Sequence, residues 1–293
     1  MLAGESVLLA QANAVSAPDE EATIVVTGNR EKQAQAAAEQ AKSITLRPAG
    51  DVPLARHYTA ICVKTFGITE DFGAVLAQRV TSNVKLLGLP VGGPGCQPNV
   101  WIGFTMDSKN QVAELRKTNP EFFAELKQFE VDRIFGGSGA AQVWHSTERR
   151  NVDGRPFATM TINGREVQTN SQYQGGRLVS PIRVDINGSL VIFDSNRVAG
   201  LTLQQLADYA TMRMLAPVQD LAKVEAGTVP TILALFAQGG VSRPDGLTEF
   251  DWAYLSAYYR LDRGAKVSSI HDATEKSMLD GTATGLVQRS DVN

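Results

Sequence analysis

The side chains able to do chemistry in this chain are few and far apart. Its three histidines, His57, His145 and His271, are never at the i, i+4 spacing that sets two metal ligands on one helix face, and each reads as an ordinary surface or loop histidine. The two cysteines, Cys62 and Cys96, have no base near them in sequence, so thiolate catalysis lacks its partner. There is no G-x-S-x-G elbow. The glycine-rich run Phe135 to Ala140, FGGSGA, has neither the Lys-Ser/Thr pair nor the glycine spacing that cradles phosphate, and it reads as a turn. Acidic runs at Asp19-Glu20-Glu21 and Glu70-Asp71 fall in a tail and at a helix start, where carboxylates are solvated or favour the helix dipole. The aromatic cluster Phe250, Trp252, Tyr254, Tyr258 and Tyr259 reads as core and rim rather than a ligand cage. What remains for catalysis is Asp208 beside Tyr209, a carboxylate and a phenol that with one of the histidines would make a scattered, metal-free hydrolytic site.

Those two residues must be positioned by Leu201 to Leu215, LTLQQLADYATMRML. Leu203, Leu206, Ala207, Ala210 and Met214 recur at helical spacing, while Gln204, Gln205, Asp208 and Arg213 fall on the other side. The pattern predicts a helix packed along one face, capped by Thr202 and ended by Pro217, with any site in a polar cleft on its solvent side. Two strands, Leu178 to Val184 and Leu190 to Asp194, precede it across a hairpin signal at Asn187-Gly188. Thr228 to Phe236 follows as TVPTILALF. A helix from Leu247 to Tyr259 comes next, with Thr248 and Asp251 spaced as a capping box.

Upstream, Tyr58 to Lys64 reads as a strand and Ile68 to Leu87 as a helix with Phe72, Val75, Leu76, Val80, Val84 and Leu87 on one face. Asn99 to Met106 is a second strand, so this stretch is a strand, helix, strand unit with a parallel crossover. Asp107 to Phe123 is a loop and helix interrupted at Pro120, and Ala141 to Ser146 is a further strand. Asn151 to Gly176 is a long polar insertion or a small hairpin turning at Asn163-Gly164. The expected fold class is α/β (α+β), a mixed twisted sheet with flanking helices spanning residues 47–260. Residues 18–46 read as a flexible segment whose Arg30 to Lys42 offers no apolar stripe to bury, and residues 261–293 as a mobile tail with a short helix around Ala273 to Leu279.

At 293 residues, with 43% hydrophobic and 20% charged side chains, the composition is that of a globular protein with room for a substantial core. A net charge of -3, with no stretch of basic residues interleaved with aromatics, argues against nucleic-acid binding. No apolar run reaches the roughly 20 residues a transmembrane helix needs. Residues 1–17 read as an export signal, with an apolar run at Val7 to Ala10 and small residues at Val15-Ser16-Ala17, although Glu5 stands where such signals are basic; an unstructured leader is the alternative. Export would place the chain in the periplasm or outside the cell. There a Cys62–Cys96 bridge would contribute roughly 2–4 kcal/mol. Two buried free thiols or a metal pair are the alternatives, and no C-x-x-C or nearby histidine supports metal.

Two resemblances add to this reading. The segment Thr23, Ile24, Val25, Val26, Thr27 and Gly28 lies between charged flanks and resembles the TonB box of TonB-dependent outer-membrane transporters. The resemblance implies an extended strand added to the sheet edge of a TonB-type protein or an outer-membrane component, and an ordinary edge strand is the alternative. The order of elements from Tyr58 to Arg260, with TILALF similar to a Met-turn segment and LTEFDWAYLSAYY similar to a final helix, resembles the metzincin zinc peptidases. In particular it resembles the zinc-peptidase-like envelope proteins of Gram-negative bacteria. That resemblance implies a zincin-like core around the Leu201 to Leu215 helix. The motif H-E-x-x-H-x-x-G-x-x-H then falls on Ala207, Asp208, Thr211, Met214 and Pro217, and Leu233 stands at the methionine of the turn. No zinc ligand survives, so no metal or other cofactor is expected. The implied function is a non-enzymatic binding or accessory role in the cell envelope. A hydrolase with a diverged site near Asp208 is the alternative.

Overall fold

The computed structural model describes residues 20–46, 52–123, 126, 131–132, 134, 139–170, 180–221, 228–238 and 243–290. In chain order the elements are α1 (Glu20–Ile44), β1 (Ala55–Arg56), β2 (Val63–Phe66), α2 (Glu70–Leu86), β3 (Val100–Thr105), α3 (Ser108–Thr118) and β4 (Ala141–Asn151). They continue with β5 (Ala158–Ile162), β6 (Arg165–Thr169), β7 (Ile182–Asp194), α4 (Leu203–Leu215), α5 (Glu249–Arg260), α6 (Ser269–Leu279) and α7 (Thr282–Ser290).

The expected strand, helix, strand unit is present as β2, α2 and β3, with the strands parallel from Val63↔Val100 to Phe66↔Gly103. Glu70 and Asp71 sit in the first turn of α2, where their charges favour the helix dipole. The buried face of α2 is Gly73, Leu76, Val80, Asn83 and Val84, and Phe72 and Val75, expected on that face, are about half exposed. The reason lies at Gly73: a Cβ there would stand 2.4 Å from Thr65 Oγ1, so the helix crosses β2 at its glycine and the stripe is set one position away from Phe72.

The sheet is mixed, in the order β2, β3, β7, β4. β3 pairs parallel with the second half of β7, from Val100↔Ser189 to Thr105↔Asp194, and β1 pairs parallel with its first half at Val184 and Asp185. β4 runs antiparallel along the other edge. The two strands expected on either side of Asn187-Gly188 are one continuous strand. A two-residue hairpin turn of this type needs positive φ at both positions, and neither Asn187 nor Gly188 has it. The same dipeptide at Asn163-Gly164, with φ of 51° and 74°, does make the turn joining β5 to β6. At Asn187 the chain instead shifts register opposite Ser146 and Thr147, a bulge that leaves Asn187 exposed.

Val191 and Phe193 of β7 face the main core under α4 and α5, whereas Leu190 and Ile192 face a smaller cluster with Val112, Phe123, Ile134 and Trp144. The capping boxes at Thr202 with Gln205 and at Thr248 with Asp251 start α4 and α5. Phe250, Trp252, Tyr254 and Tyr258 are all buried, which is the core reading of that aromatic cluster.

In place of a linker and a mobile tail, the two ends of the chain fold onto each other. Ala34, Ala37, Ala38, Ala41 and Ile44 of α1 are fully buried, and Ile270 and Met278 of α6 and Ala283 and Leu286 of α7 are buried as well. A seam of alanines brings backbones close and orders almost no side-chain rotamers, a gain that a search for large apolar residues passes over. α1 is also clasped to the segment after α4: the Gln40 side-chain amide both donates to Val229 O and accepts from Val229 N, and Leu46 N donates to Pro217 O while Gln219 N donates to Ile44 O. The domain therefore extends beyond the expected 47–260 at both ends. Residues 1–17 lie outside the described residues.

The Cys62–Cys96 disulfide is formed, with a Cα–Cα distance of 6.1 Å, and ties the approach to β2 to the loop before β3. No helix among the described residues is long and apolar enough to cross a membrane.

Candidate functional site

Asp208 lies on α4, but not on a solvent face. It is fully buried, and its carboxylate is enclosed by three elements. Oδ1 accepts from Arg79 Nε at 2.9 Å and Asn83 Nδ2 at 2.7 Å; Oδ2 accepts from Arg79 Nη2 at 2.9 Å and Leu247 N at 3.1 Å. Arg79 and Asn83 are one turn apart on α2, and Leu247 leads into α5. An ionised carboxylate offers about four acceptor positions, and all of them are taken, so no lone pair is left for a substrate proton. Gly246 makes the enclosure possible, since a Cβ there would fall 2.5 Å from Asp208 Oδ2. Ala207 and Thr211 are fully buried too. Thr211 Oγ1 accepts from Asn83 Nδ2 at 3.1 Å and donates to Ala207 O at 2.8 Å.

Tyr209 belongs to a separate network, because consecutive helix residues point about 100° apart. Its hydroxyl donates to Asp220 Oδ1 at 2.8 Å and accepts from Arg213 Nη1 at 2.8 Å, while Arg213 and Asp220 form an ion pair. The ring packs edge-on against Phe236 with centroids 4.9 Å apart. Burial holds the Tyr209 hydroxyl well above its ordinary pKa, so it stays protonated. The structure thus does not bring Asp208 and Tyr209 together into one site. Of the expected polar side of α4, Gln205 and Asp208 are buried, Arg213 is half-buried and Gln204 alone is exposed.

Sequence reasoning missed a different grouping. His145 on β4 is the register partner of Ser189 on β7, and His57 follows β1, so two histidines converge on one serine. His145 Nδ1 lies 2.8 Å and His57 Nε2 3.1 Å from Ser189 Oγ. The Ser189 hydroxyl donates to Met214 O at 3.0 Å, and His57 Nε2 is 3.1 Å from the same carbonyl. Tyr259 donates to Leu215 O at 2.8 Å. Met214 and Leu215 end α4, and terminal helix carbonyls have no partner within the helix. The cluster is therefore a side-chain cap built from β7, α5 and the residue after β1. Burial pushes His57 down to about 4, so its ring is neutral near pH 7 and presents a single N–H. A serine between histidines has the composition of a nucleophile and its base, yet this hydroxyl is buried and its proton is committed to a carbonyl. No local motif marks the group, because its members sit on separate strands and meet only through sheet register.

His271 joins the chain ends: Nε2 is 3.0 Å from Glu39 Oε1 of α1 and Nδ1 is 2.8 Å from Asp272 Oδ1. Hydrogen bonding to Asp272, then to Glu39, raises its pKa. Among the described residues no three His, Cys, Asp or Glu side chains are grouped to hold a metal ion. Thr23, Ile24, Val25, Val26, Thr27 and Gly28 lie in the first turns of α1 rather than in a strand. Phe135 to Ser138 lies outside the described residues. Comparison of the chain with protein-family models, curated proteins and solved structures found no match.

Proposed function

We propose that this protein is a non-enzymatic binding or accessory domain of the cell envelope, built on a zinc-peptidase-like core in which a structural clasp stands where the catalytic machinery would be. The observation that carries the reading is the state of Asp208. It occupies the position of the general base in the metzincin motif, and all of its acceptor positions are used by Arg79, Asn83 and Leu247. The histidine positions hold Ala207, Thr211 and Pro217, which offer no imidazole to a metal. The Cys62–Cys96 disulfide supports an oxidising compartment, the periplasm or the cell exterior. Metal analysis of the purified full chain, followed by calorimetric titration with zinc, tests the proposal. No stoichiometric uptake is expected, and one tightly bound zinc per chain would overturn it.

A second element of the reading is engagement of a TonB-type protein or outer-membrane component through residues 22–28. It is supported by composition: Thr23 to Thr27 are five consecutive β-branched residues, a run that disfavours helix and favours strand. The run also precedes the alanine seam that docks α1. Released from the helix, it would pair through its main chain with a partner's sheet edge. Capture of the full chain by an immobilised TonB C-terminal domain is the assay. Val25→Pro removes a backbone donor and fixes φ, so it should abolish capture; capture that survives the proline counts against strand pairing.

A further inference from the structure

Among the described residues the hairpin of β5 and β6 pairs only with itself, and every residue of β5 is exposed. The ribbon is nevertheless patterned as though one face were to be covered. Met160 (54% exposed), Ile162 (48%) and Val167 (40%) share a face with Ala158, bordered by Arg165 beside the turn and Thr169 at the far end, while Thr159, Thr161, Glu166 and Gln168 share the other. A lone two-stranded ribbon is marginally stable in water and gains from further strands. Its two edges differ. β6 carries Arg165 and Glu166, whereas β5, Ala-Thr-Met-Thr-Ile, has no charge, proline or bulge of the kind that blocks edge pairing.

We propose that the free edge of β5 pairs antiparallel with the β5 edge of a second copy of this chain, about a two-fold axis through Met160. The two-residue turn at Asn163-Gly164 makes Ile162 and Arg165 a hydrogen-bonded pair, so the backbone groups of Ile162, Met160 and Ala158 face β6. Those of Thr159 and Thr161 consequently point away from the ribbon. A two-fold axis at Met160 sets Thr159 opposite Thr161 of the second copy, and Thr161 opposite its Thr159, so the outward N–H and C=O groups meet and exchange bonds. Side chains agree with this register: threonines lie opposite threonines on one face, and methionine opposite methionine with alanine opposite isoleucine on the other. No like charges are opposed. An isologous pairing of this kind closes as a dimer.

Sedimentation velocity of the full chain over a range of concentrations should show a monomer–dimer equilibrium. Met160→Lys places two ammonium groups face to face on the axis and should leave only monomer, with the fold retained by circular dichroism because the Met160 side chain is exposed in the single chain. Met160→Cys should form an intermolecular disulfide on oxidation, since Cα atoms of a non-hydrogen-bonded pair stand about 4.5 Å apart, within disulfide reach. Val167→Cys should not, because the two copies of that position would be separated by three strand spacings, about 14 Å. A chain that is monomeric at every concentration, a dimer that survives Met160→Lys, or equal crosslinking of the two cysteine variants would each overturn the proposal.

Discussion

Two buried titrating groups, His57 at the end of α4 and Asp251 in the first turn of α5, should give this protein a stability profile in which opposite acid responses cancel. His57 is held neutral by burial, with its pKa lowered from an ordinary 6.5 to about 4. Between those values the unfolded chain binds a proton that the folded chain does not, so this contribution is fully present above pH 6.5 and is lost as pH falls to about 4. At about 1.4 kcal/mol per pH unit the loss is about 3 kcal/mol. Asp251 does the reverse. Burial outweighs its hydrogen bonds from Thr231, Thr248 and the Ile232 N–H and raises it from 3.8 to about 6. Its contribution is present below pH 3.8 and is lost as pH rises through 6, again about 3 kcal/mol. Between pH 4 and 6 the two slopes are opposed and nearly equal. Urea unfolding of three proteins at pH 4, 5, 6 and 7 separates them. In Asp251→Asn the His57 slope stands alone, and stability should fall by about 3 kcal/mol on going from pH 6.5 to 4 relative to the parent chain. In His57→Gln the Asp251 slope stands alone, and stability should rise by a similar amount over pH 6 to 4. Exposed carboxylates such as Glu39, Glu148 and Asp280 act equally in all three proteins and drop out of the differences. If both variants keep the parent's pH dependence, neither group titrates as its burial requires.

The disulfide closes a loop with a sequence separation of 34, so its reduction should cost about 4 kcal/mol on the chain-entropy account and lower the urea midpoint measurably. Gly246→Ala drives a methyl group onto Asp208 Oδ2 and should destabilise by about 1–3 kcal/mol in a thermal melt, the cost of overpacking. Asp208→Ala leaves the Arg79 guanidinium without its carboxylate and should cost about 3–5 kcal/mol, whereas Asp208→Leu combined with Arg79→Met should cost clearly less; equal losses would mean that the charge pair itself is not what the single substitution breaks. Ala37→Leu inserts three carbons into the seam between α1 and α6 and should lower stability by about 1–3 kcal/mol, with faster amide exchange in α1 as the local readout.

Elements governed by local chemistry were legible in the sequence. The cap at Thr202, the capping box at Thr248 and the turn at Asn163-Gly164 depend on residues within a few positions of one another, and the unit from β2 to β3 showed in the periodicity of its consecutive segments. The mixed α/β class followed from their order. What failed depends on distant partners. Asn187-Gly188 carries the same turn signal as Asn163-Gly164, but β4 pairs along the whole of β7 and β3 and β1 cover its other edge, so a continuous strand satisfies more backbone groups than a hairpin would. The carboxylate of Asp208 pointed to solvent on any single-helix reading. Its partners Arg79 and Asn83 stand 129 and 125 positions away, and nothing near Asp208 announces them. The alanines of α1 were legible as helix formers but not as a buried surface, because a close-approach seam is defined by what the facing helix presents.

The part α4 plays in this molecule is structural. A helix carrying a metal site is fixed to its neighbours partly through the ion, and removal of the ligands would leave polar positions facing an apolar interior. In α4 the buried polar groups are satisfied by the protein's own side chains and backbone. The charge at Asp208 is neutralised by Arg79, Thr211 is bonded within the helix and to Asn83, and the carbonyls of Met214 and Leu215 are capped from β7, the residue after β1 and α5. A buried ion pair is weak as a source of net stability but strict about geometry, since either partner alone is costly to bury. Its effect is to fix how α2, α4 and the entry to α5 sit against one another. α4 is thus held through buried partners on α2, β7 and the entry to α5, so a ligand that displaced Arg79 from Asp208 would leave a buried charge uncompensated.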